Sequence, residues 1–286
     1  MSERSALIGG LSASAAHTGT QRSGGPAWNG SLPVFAAGEA RATSAGVLAS
    51  LPNSYHHSEA ASGGVTVIGG SSGWPRAAAT AIRAGAAAVI VTAPAPEDMS
   101  PLRSGGLIVV DSVWAANPVV ASAGAALRSA ATAGARLECR VRVGVGRSLT
   151  AALLDQLSLI RALLAPATDL HILHRSEHGF VGEARAGGIA VDLSAICTDA
   201  APERADTRLL TADGSVQVLI PDGDTALPAL LTVTGPDGTL LAPTIYESGH
   251  RAAWRRLHHL LATGERCTDI DDLEADIATA SIYPEG

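Results

Sequence analysis

The feature that most constrains the fold is an alternation in the first third of the chain. Short apolar runs at 6–8, 32–36, 65–68, 89–91 and 107–110 are separated by Ala-rich stretches of helical length. Short apolar strands with helices between them predict a parallel, doubly wound sheet. Ligands of such sheets gather in the crevice beyond the carboxyl ends of the strands. The residues that follow each run are therefore the first candidates for function.

The pattern changes after Asn117-Pro118, a plausible boundary because Pro restricts the residue before it. We read 1–118 as a Rossmann-like domain and 119–286 as an α+β domain with a mixed, largely antiparallel sheet, giving an α/β fold overall. A helix at 119–133 closes at Gly134. Residues 136–143 alternate Leu137, Cys139, Val141 and Val143 with Arg136, Glu138, Arg140 and Arg142, the signature of a half-buried strand. A helix at 151–164 follows. From Thr168 onward, strands are punctuated by Asp213-Gly214, Asp222-Gly223 and Pro236-Asp237-Gly238, which suit hairpins. Two helices end the chain. Trp254, Leu257, His258 and Leu261 share a face of the first, which Gly264 caps. Thr268 caps the second, with a stripe of Ile270, Leu273 and Ile277. The Ala/Gly/Ser richness of 1–64 predicts loops there.

Composition narrows the chemistry. Net charge is −7, which disfavours duplex nucleic acid and anionic membranes. All 20 basic residues are arginine. The absence of lysine excludes a Schiff base and a phosphate-loop lysine, so VGVGRS at 143–148 is not a P-loop. Cys139, Cys197 and Cys267 are scattered and form no CxxC, which argues against a disulfide framework and suits a cytoplasmic protein. The apolar start is too short for a signal peptide, and no run approaches a membrane span.

Two stretches bear on nucleotide binding. In LIGGLSASAAHTG at 7–19, a strand–glycine–helix pattern offers Gly9, Gly10, Ser12 and Ser14 to a pyrophosphate, although Leu11 stands where the second fingerprint glycine allows close approach. In AAGEARA at 36–42, Gly38 falls where an NAD site carries an acid for the ribose. Arg41 nearby suits a 2′-phosphate, pointing to NADP rather than NAD; the other reading is a solvated helix residue. Among the remaining candidates, His171 and His174 of HILHRSEH point to opposite faces of a strand, a poor geometry for a metal. Tyr55-His56-His57 reads as loop surface, His17 as a packed or capping residue, and Trp28 as local packing.

The order of elements resembles the Gfo/Idh/MocA oxidoreductases. It does so through IGGLSASAAH (8–17), VIGGSSGWPRAAATAIRAGAAAVIVTAP (67–94), AALLDQLSLIRALL (151–164) and the final helices (250–283). Within that superfamily the chain is most similar to thiazolinyl imine reductases of siderophore pathways, through AAGEARA, APAPEDMSPL (93–102) and RSLTAALLD (147–155). The resemblance implies NADPH-dependent reduction of a cyclic C=N on a small or carrier-protein-bound substrate. It also implies a homodimer paired through the second sheet. Further cofactor contacts are implied at Gly69, Gly70, Ser71, Trp74 and Thr92. The departures are as informative. Thr92-Ala93-Pro94 stands where the superfamily carries Glu-Lys-Pro, and imine reductases place a histidine at the position of Ala93. Their tyrosine corresponds to Trp114, whose indole donates a hydrogen bond but no proton. The acid and histidine of the second-domain helix correspond to Asp155 and Leu159. The resemblance therefore leaves Asp155 and Trp114 as the catalytic candidates, around an already protonated iminium that Asp155 would stabilise. The competing reading is a redox-silent relative, serving as a non-redox biosynthetic enzyme or a partner subunit.

Overall fold

The computed structural model describes residues 31–281, apart from 224 and 226. The run at 6–8 and the candidates Gly9, Gly10, Ser12 and Ser14 lie outside the described residues, as do His17 and Trp28.

The first sheet is built from β1 (Leu32–Ala36), β2 (Tyr55–His57), β3 (Val65–Gly69), β4 (Ala88–Thr92) and β5 (Ile108–Asp111). All pairings are parallel, in the order β2-β1-β3-β4-β5. Helix α1 (Glu39–Ser50) joins β1 to β2, and α2 (Trp74–Arg83) joins β3 to β4. Residues 39–50, expected to be loop, are helical. Their Ala-rich composition carries helix propensity that the surrounding Gly and Ser obscure.

The second domain opens with α3 (Val119–Ala130), β6 (Arg136–Val143) and α4 (Leu149–Leu163). Strands β7 (Ala167–Ser176), β8 (Gly179–Ala186), β9 (Ile189–Cys197), β10 (Arg204–Leu210), β11 (Ser215–Pro221), β12 (Leu230–Gly235) and β13 (Gly238–Leu241) follow. They form an eight-stranded sheet in the order β13-β12-β11-β10-β6-β9-β8-β7, antiparallel except for the β6–β9 pair. The alternation read in 136–143 is realised: Leu137, Cys139, Val141 and Val143 are buried against α3 and α4, while the charged residues face outward. Asp213-Gly214 and Pro236-Asp237-Gly238 turn tight hairpins. Asp222-Gly223 instead opens the longer link from β11 to β12, which matters below. Ser148 caps α4 by accepting from the Thr150 and Ala151 N–H groups at 3.2 and 3.4 Å.

The chain then returns to the first sheet. Helix α5 (Gly249–Thr263) ends at Gly264, whose φ of 68° is the left-handed cap expected there. Its Trp254, Leu257 and Leu260 join α1 on one face of the parallel sheet. The Tyr55 hydroxyl donates to the Trp254 carbonyl at 2.7 Å, and the two rings meet edge to face at 4.9 Å. Helix α6 (Asp269–Ala280) lies between the domains. Its Asp269 accepts from the Val110 N–H at 2.8 Å, so the outer edge of β5 is covered rather than open to pairing. Thr268 precedes α6 as expected, but its hydroxyl donates to the Asp272 side chain and caps no backbone group. Among the described residues, no helix is long and apolar enough to cross a membrane.

Candidate functional site

The chain leaves β1 toward β2 on one side and returns to β3 on the other, so β1 and β3 flank the topological switch point. In such sheets this is where a crevice opens. The turn that serves it is Ala37-Gly38. Gly38 takes φ 58° and ψ −136°, open to glycine and costly for other residues, and no side chain caps the helix that follows. Gly38 therefore follows the strand at the switch point and opens the first helix, and the next strand end in the sheet is that of β2, just before Ser58-Glu59. Arg41 does reach that place: its guanidinium lies 3.9 Å from Glu59. Both side chains are exposed, so the pair is a weak one and leaves Arg41 available.

The ends of β3 and β4 are zipped together. The Gly70 N–H donates to the Thr92 carbonyl at 2.8 Å, and the Ala95 N–H donates to the Gly70 carbonyl at 2.7 Å. A Cβ on Gly70 would sit 2.3 Å from Pro94 Cα and 2.4 Å from the Ala93 carbonyl oxygen. Gly70 therefore admits the 92–95 turn, and this close approach, not a nucleotide, explains the glycine. Trp74 is similarly committed. It is 1% exposed, and its indole N–H donates to the Ala95 carbonyl at 2.9 Å. It braces the turn from beneath, with its ring packed in the core of the first domain rather than at the open groove where the sequence reading put it. Gly69 and Ser71 remain open to a groove of about 640 Å³ lined by Phe35, Thr66 and Ile68. Thr92 is half-buried, and Ala93 adopts φ 46°, an unusual conformation for a residue with a Cβ. Strain is thus stored in the turn that follows β4.

Neither catalytic candidate is poised as expected. Trp114 is 0% exposed and belongs to the second domain's core; its indole N–H has no partner among the described residues. Its ring is enclosed in that core and offers no exposed surface. Asp155 sits on α4 with its carboxylate 2.6 Å from the Arg147 guanidinium, which also holds Glu203 at 3.1 Å. Burial pushes the Asp155 carboxyl above its ordinary value, and Arg147 beside it pulls it back. Asp155 and Pro94 do line one interdomain cavity, of about 430 Å³. The carboxylate there is already balanced by an arginine.

The structure supplies a different pair. Asp111, the last residue of β5, lies next to Thr92 in register and is 2% exposed. Its Oδ2 is 2.9 Å from His250 Nδ1, at the first turn of α5, and its Oδ1 is buried without a partner among the described residues. A carboxylate only accepts, so Nδ1 carries the proton in this bond. The second domain closes over the ring: a Cβ on Gly223 would lie 2.8 Å from His250 Nε2. Three segments distant in sequence meet here, at the carboxyl edge of the sheet and the domain junction. Asp111 stood in plain view in DSVWAAN and His250 at the start of the final helices, but no local pattern links them.

The sequence matches no protein-family model and no curated protein. The fold is shared with solved oxidoreductase structures. KijD10, a 3-ketoreductase from Actinomadura kijaniata solved with NADP, superposes with a TM-score of 0.61 at 10% identity, over 87% of both chains. The dehydrogenase MviM from Clostridium difficile gives 0.60 at 8% identity, over 85% of this chain and 86% of that one. An oxidoreductase from Sinorhizobium meliloti gives 0.56 at 10% identity, over 87% and 95%. A Rossmann-like parallel domain followed by a mixed, mostly antiparallel sheet is the architecture expected from the sequence.

Proposed function

We propose that the protein is an NADP(H)-dependent oxidoreductase of the imine reductase kind, reducing a cyclic C=N on a small or carrier-bound substrate. The observation that carries this reading is the β1–Gly38–α1 turn at the switch point, with Arg41 leaning over the end of β2. Uncapped N–H groups at a helix start favour a phosphate, and a guanidinium at the ribose position favours a 2′-phosphate. The nicotinamide, when bound, supplies hydride. His250, held through Nδ1 by the Asp111 carboxylate, is the proton-transfer group of this site. It takes the role that Ala93, Trp114 and Asp155 leave unfilled. Calorimetric titration tests the cofactor: micromolar NADPH with weaker NADH, and loss of that preference in Arg41→Ala, is the expected result. Hydride transfer from saturating NADPH to cyclic imines or thiazolines tests the reaction.

The redox-silent reading keeps one specific observation in its favour. A complete doubly wound sheet has a third strand beyond the second, flanking the adenosine half. Here β2 passes to β3 through 58–64 alone, and β2 is the edge strand among the described residues. Failure of both NADPH and NADH to bind would leave that reading standing.

A further inference from the structure

On the open face of the eight-stranded sheet, the charged pairs between β6 and β10 are of opposite sign with one exception. Along β6 and β10, residues directly opposite one another are Glu138 and Arg208, Arg140 and Asp206, then Arg142 and Arg204. The first two pairs are complementary. On the other flank of β6, Arg136 pairs with Asp192 of β9. Only at Arg142 and Arg204 do two cations face each other, an arrangement that destabilises a sheet. Neither has an anionic partner among the described residues. The nearest acid in sequence, Glu203, points to the opposite side, where it accepts from the Gly144 N–H at 2.8 Å and pairs with Arg147. Asp206 accepts from Gln217 at 2.9 Å. Both arginines are half-buried in a concavity of about 550 Å³, which Ser194, Ser176 and His174 also line.

We propose that this concavity is a second ligand site, separate from the crevice, that binds the phosphate group of a small phosphorylated molecule. Two planar guanidinium forks facing one another across a ladder offer bidentate donors to one phosphate, and the hydroxyl of Ser194 on the neighbouring β9 lines the same concavity. An anion between the forks converts the repulsion into the attraction found elsewhere on the face. The ring of His174 stands at the rim.

The test is calorimetry of the full chain with inorganic phosphate and with diphosphate, at fixed ionic strength set with chloride, on wild type and on R142Q/R204Q. Saturable phosphate binding, at least tenfold weaker in the double variant, is expected. Thermal melts give an independent reading. Without phosphate, R204Q melts higher than wild type because the facing charges are gone; with phosphate, wild type gains stability and R204Q does not. No saturable binding to wild type, or equal binding to the double variant, overturns the proposal. So does a dimer by light scattering that R142Q/R204Q dissociates, since the arginines would then serve the pairing of two copies through this face. NADPH binding to R142Q/R204Q is read alongside and is expected to match wild type.

Discussion

His250 and Asp111 lie 139 residues apart in sequence, yet His250 Nδ1 stands 2.9 Å from Asp111 Oδ2 at the carboxyl edge of the parallel sheet. A buried carboxylate that accepts from one imidazole nitrogen fixes the orientation of the ring, as a proton-transfer histidine requires. With NADPH and a cyclic imine, His250→Gln is expected to lower turnover by about 10²–10⁴. Its NADPH affinity stays at the wild-type value, because the ring lies at β5 while the nucleotide turn lies at β1. Asp111→Asn is expected to lower turnover less, because the ring remains but loses the carboxylate that orients it. Undiminished turnover in His250→Gln would remove the ring from the chemistry.

Asp155 offers a prediction on pH. Its carboxyl is raised by burial, against the opposing pull of Arg147. The folded chain therefore binds this proton more tightly than the unfolded chain, whose Asp titrates at about 3.9. The associated stability is complete below that value and is lost as pH rises through the folded-state pKa. Urea melts of wild type and Asp155→Asn, run from the acid end toward neutral pH, should show the wild type losing ground to the variant with rising pH. A difference that instead grows with pH would mean that the Arg147 pair outweighs burial.

The three thiols are expected to be slow. Burial pushes Cys139 and Cys267 up to about 11, and raises Cys197 as well. The thiolate is the reactive form, so little of it exists near neutrality. The Cys267 thiol also donates to the Ile108 carbonyl at 3.1 Å. A disulfide reagent such as DTNB at mildly alkaline pH should label the native protein far more slowly than the urea-unfolded chain, with Cys197 first. Complete labelling of native protein within seconds would contradict the burial of these sites.

Much of the fold was legible because it is local. The runs at 65–68, 89–91 and 107–110 are apolar enough to be strands wherever they lie, and the alternation from Leu137 to Val143 declares which face is buried. The switch point was not legible. The chain shows a strand–glycine–helix pattern both around Gly9 and around Gly38, and local chemistry does not rank them. Register does: Leu32 pairs with Tyr55 while Val34 pairs with Val65, which sets β1 between β2 and β3. Trp114 and Trp74 misled for a related reason. An aromatic beside a motif reads as a pocket wall, whereas its burial is decided by elements far away in sequence. The His250–Asp111 pair was hidden because it exists only once α5 has returned to the first sheet.

Gly69 and Gly70 are neighbours with opposite expectations. The space beside Gly69 is empty within 4 Å, whereas a Cβ on Gly70 would enter the backbone of Pro94 and the carbonyl of Ala93. Backbone cannot swing aside as a side chain does, so Gly70→Ala must push the 92–95 turn away and weaken both hydrogen bonds that zip β3 to β4. Overpacking of this kind costs about 1–3 kcal/mol, and two weakened hydrogen bonds add about 1 kcal/mol each. Gly69→Ala meets nothing and is expected to change stability by no more than about 0.5 kcal/mol, as substitutions clear of such features do. Because Thr92 pairs with Asp111, a displaced turn also disturbs the floor beneath His250. Gly70→Ala should therefore reduce turnover beyond its loss of folded protein, and Gly69→Ala should not. Urea melts and rate measurements on the two variants decide this, and equal behaviour of the pair would show that the turn does not rest on Gly70.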